Sequence, residues 1–145
     1  FLYMLAMNTF TMNTSMNPFE NTLSSDKLFN KQAEVIQEIA DKDDCIIVGR
    51  CAGYILRDEP KCVRIYISAD KDFRTKRIMA SDHLDEKEAQ KKIHSMDKKR
   101  DSYFGYYAGQ DWKACHTYDL SISTSSLGID KAVDLICQYI DIKFK

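Results

Sequence analysis

Glycine and histidine are scarce in this chain, and each scarcity removes a class of chemistry. The five glycines are Gly49, Gly53, Gly105, Gly109 and Gly128. None has the Gly-x-x-x-x-Gly-Lys-Ser/Thr spacing of a phosphate-cradling loop between a strand and a helix. Three scattered histidines, His83, His94 and His116, and five cysteines that never form Cys-x-x-Cys give a zinc site no support, and no metal ligand is assigned. The cysteines (Cys45, Cys51, Cys62, Cys115 and Cys137) are odd in number and scattered, which fits reduced, buried thiols in a cytoplasmic protein. No apolar run approaches the roughly 20 residues that span a bilayer, so no membrane partner is expected. The opening "FLYMLAM" is apolar but short, with no basic leader and no clear cleavage site, a poor signal peptide. No carboxylate pair, Ser-His-Asp set or Cys-His pair stands out, so hydrolase chemistry has little support.

The chain of 145 residues, 44% hydrophobic and 30% charged, has the length and balance of one soluble globular domain. A formal charge of −1 argues against a general binder of nucleic-acid polymers or membrane surfaces. That near-neutrality is uneven. Residues 1–60 carry 5 basic and 9 acidic side chains, residues 61–100 carry 12 and 7, and residues 101–145 carry 4 and 6. A middle segment of +5 in a neutral chain points to a focused anion site. The first residue is Phe1 rather than methionine, and a fragment of a longer protein is one expectation.

Along the chain, residues 8–26 are rich in Asn, Thr, Ser and Met without a period, and read as a mobile or lid-like loop. A helix is predicted from Ser25 or Asp26, with Leu28, Val35, Ile36 and Ile39 as its stripe. "DKDD" at 41–44 turns into a strand at 45–48, expected to be buried on both faces. A second helix follows Gly49 and ends before Pro60. A strand is predicted at 62–68 from the alternation of Val63, Ile65 and Ile67, then a helix with Asp70 as its N-cap. Residues 84–104 read as a long charged helix with Leu84, Ala89, Ile93 and Met96 on a thin apolar side. Residues 103–112 read as an aromatic, Gly-broken loop, and 118–126 as a third strand running into a turn at Gly128. A last helix from Asp130 would bury Ala132, Val133, Leu135, Ile136 and Ile140. This alternation is the rhythm of a parallel sheet with helices on both faces, where ligands bind at the carboxyl ends of the strands. One domain is expected: a core from 25–80 and 113–145, a lid-like region at 81–112, and a mobile segment at 1–24 on the nucleotide side.

Three groups of residues could carry chemistry. Arg50 lies just past the end of an apolar strand, after Gly49, which lets the backbone turn sharply. A guanidinium there offers a planar fork that suits phosphate; a surface Arg paired with a carboxylate is the alternative. Arg74 and Arg77 stand three apart on one helical face, where two guanidiniums repel unless an anion lies between them. A solvated helix face is the alternative, and the pattern by itself favours it. "MDKKRDSYFGYY" supplies Asp97, Lys98, Lys99 and Arg100, cations that could close over transferring phosphates, and then Tyr103, Tyr106 and Tyr107, which read as residues docking the segment onto the core.

Taken in order, these segments resemble the cytidylate kinase-like family, a branch of the P-loop nucleoside monophosphate kinases. "CIIVGRCA" is similar to its strand followed by Gly-Arg, "RIYISADKDFRTKRIM" to its next strand and Arg-x-x-Arg lid helix, "DKKRDSYFGYYAGQDW" to its lid return, and "YDLSISTSSLGIDKAVDLI" to its last strand, loop and helix. The resemblance runs from about Leu28 to Ile140. It implies an α/β fold, a three-layer parallel sheet of the nucleoside monophosphate kinase type with a helical lid, whose first strand and P-loop are missing from this sequence. It implies phosphoryl transfer from ATP with Mg²⁺ to a nucleoside monophosphate, CMP or dCMP, as partners. Arg74, Arg77 and Arg100 would be the catalytic cations. Gly49, Arg50 and Asp97 would bind the substrate, and Ser125, Ser126 and Gly128 would border the adenine of ATP. Well-characterised cytidylate kinases carry Asp on both sides of Gly-Arg, where this chain has Val48 and Cys51. The missing P-loop points to upstream residues outside this sequence. A non-catalytic nucleotide-binding or regulatory module of the same fold is the second reading, and an unrelated small α/β protein the third.

Overall fold

A computed structural model describes the backbone of residues 18–145 and the side chains from Ser25 onward. The expectations for residues 1–17 therefore lie outside the described residues. The chain divides into two compact units, Phe1–Cys62 and Val63–Lys145.

The first unit is built on helix α1, Pro18–Lys42. It starts earlier than Ser25 or Asp26, so residues 18–26, read above as loop, are helical. Proline at a first helical position explains the start, because its ring presets φ and its missing N–H would have no intrahelical acceptor there. From α1 only Ile36 is fully enclosed, while Leu28 and Val35 stay exposed. The short helix α2, Ala52–Ile55, packs against α1, and Cys51 and Ala52 join Ile36 in the small core.

Residues 45–48 do not form the expected buried strand. Ile46 and Val48 are each 70% exposed, and no ladder pairs with them among the described residues. An extended apolar segment becomes a strand only when a neighbour takes its N–H and C=O groups, and apolar content does not supply that neighbour.

The second unit holds a two-stranded parallel sheet, β1 (Ile65–Ser68) beside β2 (Leu120–Ser123), with Ile65 opposite Leu120 and Ser68 opposite Ser123. Both strands are shorter than the sequence suggested. Asp119 fixes their start. Its Oδ2 accepts the Arg64 backbone N–H at 2.7 Å and Nε at 3.2 Å, and its Oδ1 accepts Nη2 at 3.2 Å. Hydroxyls finish their far ends, as Thr124 Oγ1 donates to the Ser68 carbonyl at 3.0 Å and Ser68 Oγ to the Ile122 carbonyl at 3.2 Å.

Two helices connect the strands: α3, Lys71–Asp82, and α4, Glu86–Ala108. Asp70 holds the N-cap position of α3 as expected, without a side-chain cap bond. His83 in a left-handed conformation ends that helix, and Asp85 opens the next with a capping box. Its Oδ1 accepts the Glu88 N–H at 2.8 Å, while Glu88 Oε2 accepts the Asp85 N–H at 3.2 Å. Ala89 and Ile93 are buried where α4 packs on α3, with Leu84 and Met96 half-buried beside them, the thin apolar side foreseen from the sequence.

Helix α4 runs through residues 103–108, which were expected to be a loop. Tyr103 and Tyr107, one turn apart, meet edge-on at 4.9 Å, a contact that helps offset the cost of Gly105 within the helix. The helix stops at Gly109, whose φ of +65° suits glycine. After β2, residues 124–127 form a helical turn, α5 (Thr124–Leu127), instead of extending the strand, and α6 runs Ile129–Phe144.

Of the apolar residues expected to be buried along α6, only Ala132 is, and Val133 is half exposed. A two-stranded sheet is too narrow to cover the stripe of a sixteen-residue helix. The cysteines also depart from expectation. Cys51 is buried, Cys62 intermediate, and Cys45, Cys115 and Cys137 are exposed; all five are free. Among the described residues no helix is long and apolar enough to cross a membrane.

Candidate functional site

In the second unit the charged residues converge just beyond the carboxyl end of β1. Arg74, in the first turn of α3, meets Asp97 on α4 through two parallel bonds of 2.7 Å each, Nη1 to Oδ2 and Nη2 to Oδ1. Arg100, one turn further along α4, reaches the same carboxylate with Nη1 at 3.3 Å. The capping box at Asp85 sets where α4 begins, and so helps set which of its turns faces α3. The Arg74 guanidinium holds the Asp97 carboxyl below the usual carboxylate range, aided by charge from Arg100 and Lys113 and opposed by partial burial. Asp97 in turn raises the pKa of Arg74. Two guanidiniums on one carboxylate leave this cluster net positive, so it attracts an anion rather than neutralising itself. A cleft of about 180 Å³ opens beside it, lined by Lys71, Arg74, Thr75, His94 and Asp97 among others.

Arg77 lies outside this cluster. It is exposed and forms no ion pair among the described residues. The anion that the Arg74–Arg77 spacing seemed to require is supplied to Arg74 by Asp97, from a different helix. Lys98 and Lys99 are exposed on α4.

An aromatic cluster lies beside Arg100, with Trp112 as the ring that meets it. Tyr66 of β1 meets the Trp112 ring edge-on at 5.6 Å and the Tyr118 ring at 5.1 Å. The Tyr118 hydroxyl donates to the Trp112 carbonyl at 2.6 Å. Arg100 and Lys113 place their charges 6.0 and 5.8 Å from the Trp112 ring centre. Burial raises the Tyr66 phenol above its ordinary pKa, and the nearby Asp97 carboxylate adds to that. Sequence reasoning missed this aromatic cluster. Its one signal was the chain's single tryptophan, beside a lysine and shortly after the charged run.

At the carboxyl end of β2, Ser125 Oγ accepts the Asp70 N–H at 3.1 Å and lies 2.9 Å from Ser123 Oγ. Ser126 Oγ donates to the Ser123 carbonyl at 3.0 Å, and Gly128, with φ +79°, bridges α5 and α6. The structure thus ties Ser125 to the start of the Arg74 helix.

In the first unit, Gly49, Arg50 and Cys51 are consecutive residues with φ of +76°, +55° and +55°. The turn is closed by Ala52 N–H to the Gly49 carbonyl at 3.0 Å, and by the Tyr54 and Ile55 N–H groups to the Cys51 carbonyl at 2.9 Å each. Left-handed backbone at a residue with a Cβ costs on the order of 1–2 kcal/mol, so this turn stores strain at Arg50 and Cys51. The sequence pointed to Gly49 as the bend; the two residues after it share the work. Arg50 Nε is buried without an acceptor among the described residues, and the guanidinium makes no ion pair there. Burial pushes the Cys51 thiol up to about 11, so it stays neutral.

The sequence model of the cytidylate kinase-like family matches residues 1–126. The chain belongs to the cytidylate kinase-like family. It is similar to cytidylate kinases of Sulfolobus acidocaldarius (31% identical over 110 residues, 76% of this chain and 60% of that protein) and Methanoculleus marisnigri (27% over 111 residues, 77% and 59%). It therefore spans about 60% of the length of the curated relatives it matches. Among solved structures it is similar to an uncharacterized protein from Eubacterium ventriosum, at 37% identity and a TM-score of 0.75, covering 78% of this chain and 64% of that one. The family match begins at the first residue and stops within α5, whereas the motifs read from the sequence began near Leu28 and extended into α6. This cytidylate kinase-like chain has a mixed α/β structure with a small parallel sheet and mostly helices. Among its described residues no group of three or more His, Cys, Asp or Glu side chains could hold a metal ion.

Proposed function

We propose that this chain is the larger part of a nucleoside monophosphate kinase that transfers a phosphoryl group from ATP to CMP or dCMP. The observation that carries the reading is the pairing of Arg74 and Arg100 on the single carboxylate of Asp97. Phosphoryl transfer asks little covalent chemistry of a protein and much electrostatic positioning. Arg74 is held by two bonds before any substrate arrives, so its charge needs no reorganisation at the moment of reaction. Arg100, held to the same carboxylate by one longer bond, adds a second charge beside it. Arg77, exposed and without an ion pair among the described residues, adds a third cation as the anion approaches.

Asp97 and Arg50, with Gly49 shaping its turn, would bind the acceptor nucleotide. The acceptor-free Nε of Arg50 supports that role, because a phosphate or base oxygen would satisfy it. Ser125, Ser126 and Gly128 would border the adenine of ATP. Mg²⁺, when bound with ATP, offsets phosphate charge, but the described side chains form no ready ligand set for it, and no step is assigned through it. The fold we propose for the intact protein is a three-layer parallel sheet in one domain, with residues 81–112 as a lid and a P-loop contributed from upstream. Three exposed free thiols accord with a cytoplasmic setting.

The test is direct. The intact protein given ATP, Mg²⁺ and CMP should release ADP, and absence of turnover with every nucleoside monophosphate would sink the reading. One observation favours a second reading, a nucleotide-binding module without catalysis. Val48 and Cys51 flank Gly-Arg where well-characterised cytidylate kinases have aspartates, and a buried, neutral Cys51 cannot stand in for a carboxylate. That reading expects monophosphate binding, weakened by Arg50→Ala, without ATP consumption.

A further inference from the structure

We propose that Trp112 is a positioning residue, which with Tyr118 latches the Arg100 guanidinium in place beside Asp97 and Arg74. The inference rests on the kinase reading of those arginines and deepens it.

Arg100 is weakly held by charge alone. Its bond to Asp97 is 3.3 Å long, against 2.7 Å for each Arg74 bond, and its side chain is 41% exposed. An ion pair of that kind contributes little to holding a long side chain in one place. The second hold on Arg100 is the face of Trp112. Trp112 is itself fixed from three sides. Tyr118 binds its carbonyl, Tyr66 packs on its ring, and Asp111 closes the surrounding turn by accepting the Lys113 N–H on Oδ1 at 2.8 Å and the Ala114 N–H on its carbonyl at 3.1 Å. This turn follows Gly109, where α4 ends, so the latch joins the helix that carries Arg100 to the strand that carries Tyr66.

The indole brings a cost that a phenyl ring would not. Its Nε1 is buried with no acceptor among the described residues. If the site needed only apolar bulk, Phe would supply it without an unsatisfied donor. What indole has beyond Phe is the strongest cation–π face of the natural side chains. The unsatisfied N–H is therefore consistent with selection for the face that Arg100 and Lys113 use.

The test is a double-mutant cycle on the intact protein, read as kcat and KM with ATP, Mg²⁺ and CMP, with thermal midpoints measured alongside. Trp112→Leu should lower kcat by about three- to tenfold, the size of one partly exposed cation–π contact or slightly more. Trp112→Phe, with a weaker cation–π face, should lose part of that activity at an unchanged or raised midpoint, and full activity in it would show that the site needs only apolar bulk and overturn the latch. The double variant Trp112→Leu/Arg100→Ala should be no slower than Arg100→Ala alone, because Trp112 acts through Arg100. Multiplicative losses in the double variant would overturn the latch while leaving the kinase reading standing. Wild-type kcat in Arg100→Ala would instead remove Arg100 from the proposed site, and the latch with it. A readout independent of turnover is the emission of Trp112, taken as the difference from Trp112→Phe. Arg100→Ala should shift it, and an unchanged spectrum would show that Arg100 does not rest on this ring.

Discussion

Arg50 and Arg74 both follow short apolar segments, and the chain holds them in opposite ways. Arg74 springs from a regular helix, donates its backbone N–H to the Asp70 carbonyl at 3.0 Å, and is clamped by two short bonds to Asp97. Arg50 sits in a left-handed turn, next to a second left-handed residue, with its Nε unsatisfied among the described residues. The first arrangement is relaxed, and its charge is already partly answered. The second is strained and open. Low-energy helices can present a preset charge at little cost, whereas a strained residue with an unpaired donor persists only where something else rewards it. On the proposed function the clamped arginine suits the transferring group, whose charge changes, and the open arginine suits a substrate that arrives and leaves.

The strongest way to break this contrast is Arg74→Ala. It removes a preset cation, and kcat should fall by roughly a hundredfold or more, with a far smaller change in KM. If KM rises and kcat stays, Arg74 is a binding residue like Arg50 and the distinction fails. Arg50→Ala should act the other way, weakening CMP binding by about ten- to a hundredfold in titration calorimetry, the loss of a charge-assisted bond. Wild-type binding in that variant would leave the strained turn without a reward.

Asp97→Asn sharpens the comparison by turning the clamped arginine into an open one. The midpoint of unfolding at pH 7 should drop by the equivalent of about 1–3 kcal/mol, because part-buried Arg74 loses its charged partner. The pH dependence carries a sign. The Asp97 pKa is depressed in the folded chain, first by the Arg74 bonds, so its contribution is fully present above the unfolded value near about 4. It is lost as pH falls through the folded value. Acid melting curves of wild type and Asp97→Asn should therefore converge below about pH 4. Curves that coincide at every pH would show that the pair adds nothing to stability, and a constant gap would show that the Asp97 charge does not carry it. The smallest effect is expected from Arg77→Ala, about a threefold loss in kcat/KM, since an exposed cation acts through solvent. A loss as large as that of Arg74→Ala would move Arg77 into the centre of the site.

How far the sequence was legible differs along the chain. Helices α3 and α4 could be read because their signals are local. Asp70 and Asp85 lie at their starts, and Ala89, Ile93 and Met96 recur at helical spacing. The charged residues of the site were also visible as a basic middle segment holding Arg74, Asp97 and Arg100. Their mutual arrangement was not. Arg74 and Arg77 looked like a pair because they share a helix, but the partner of Arg74 lies 23 residues away. The helical stretch 103–108 was hidden by Gly105, whose cost depends on what the tyrosines around it touch. Residues 45–48 have the composition of a buried strand, yet strand formation depends on neighbours that no local pattern encodes.

The sequence by itself therefore determined helix α3 and most of α4, the family, and which side chains bring charge to the site, since each of these rests on spacing, capping and composition within a few residues. Tertiary structure alone decided that Asp97 rather than Arg77 stands opposite Arg74, that Trp112 lies over Arg100, and that β1 pairs with β2 through Arg64 and Asp119. Those contacts join residues up to 55 positions apart. Whether such groups meet depends on how the intervening helices pack, a property of the whole unit and of no short segment within it.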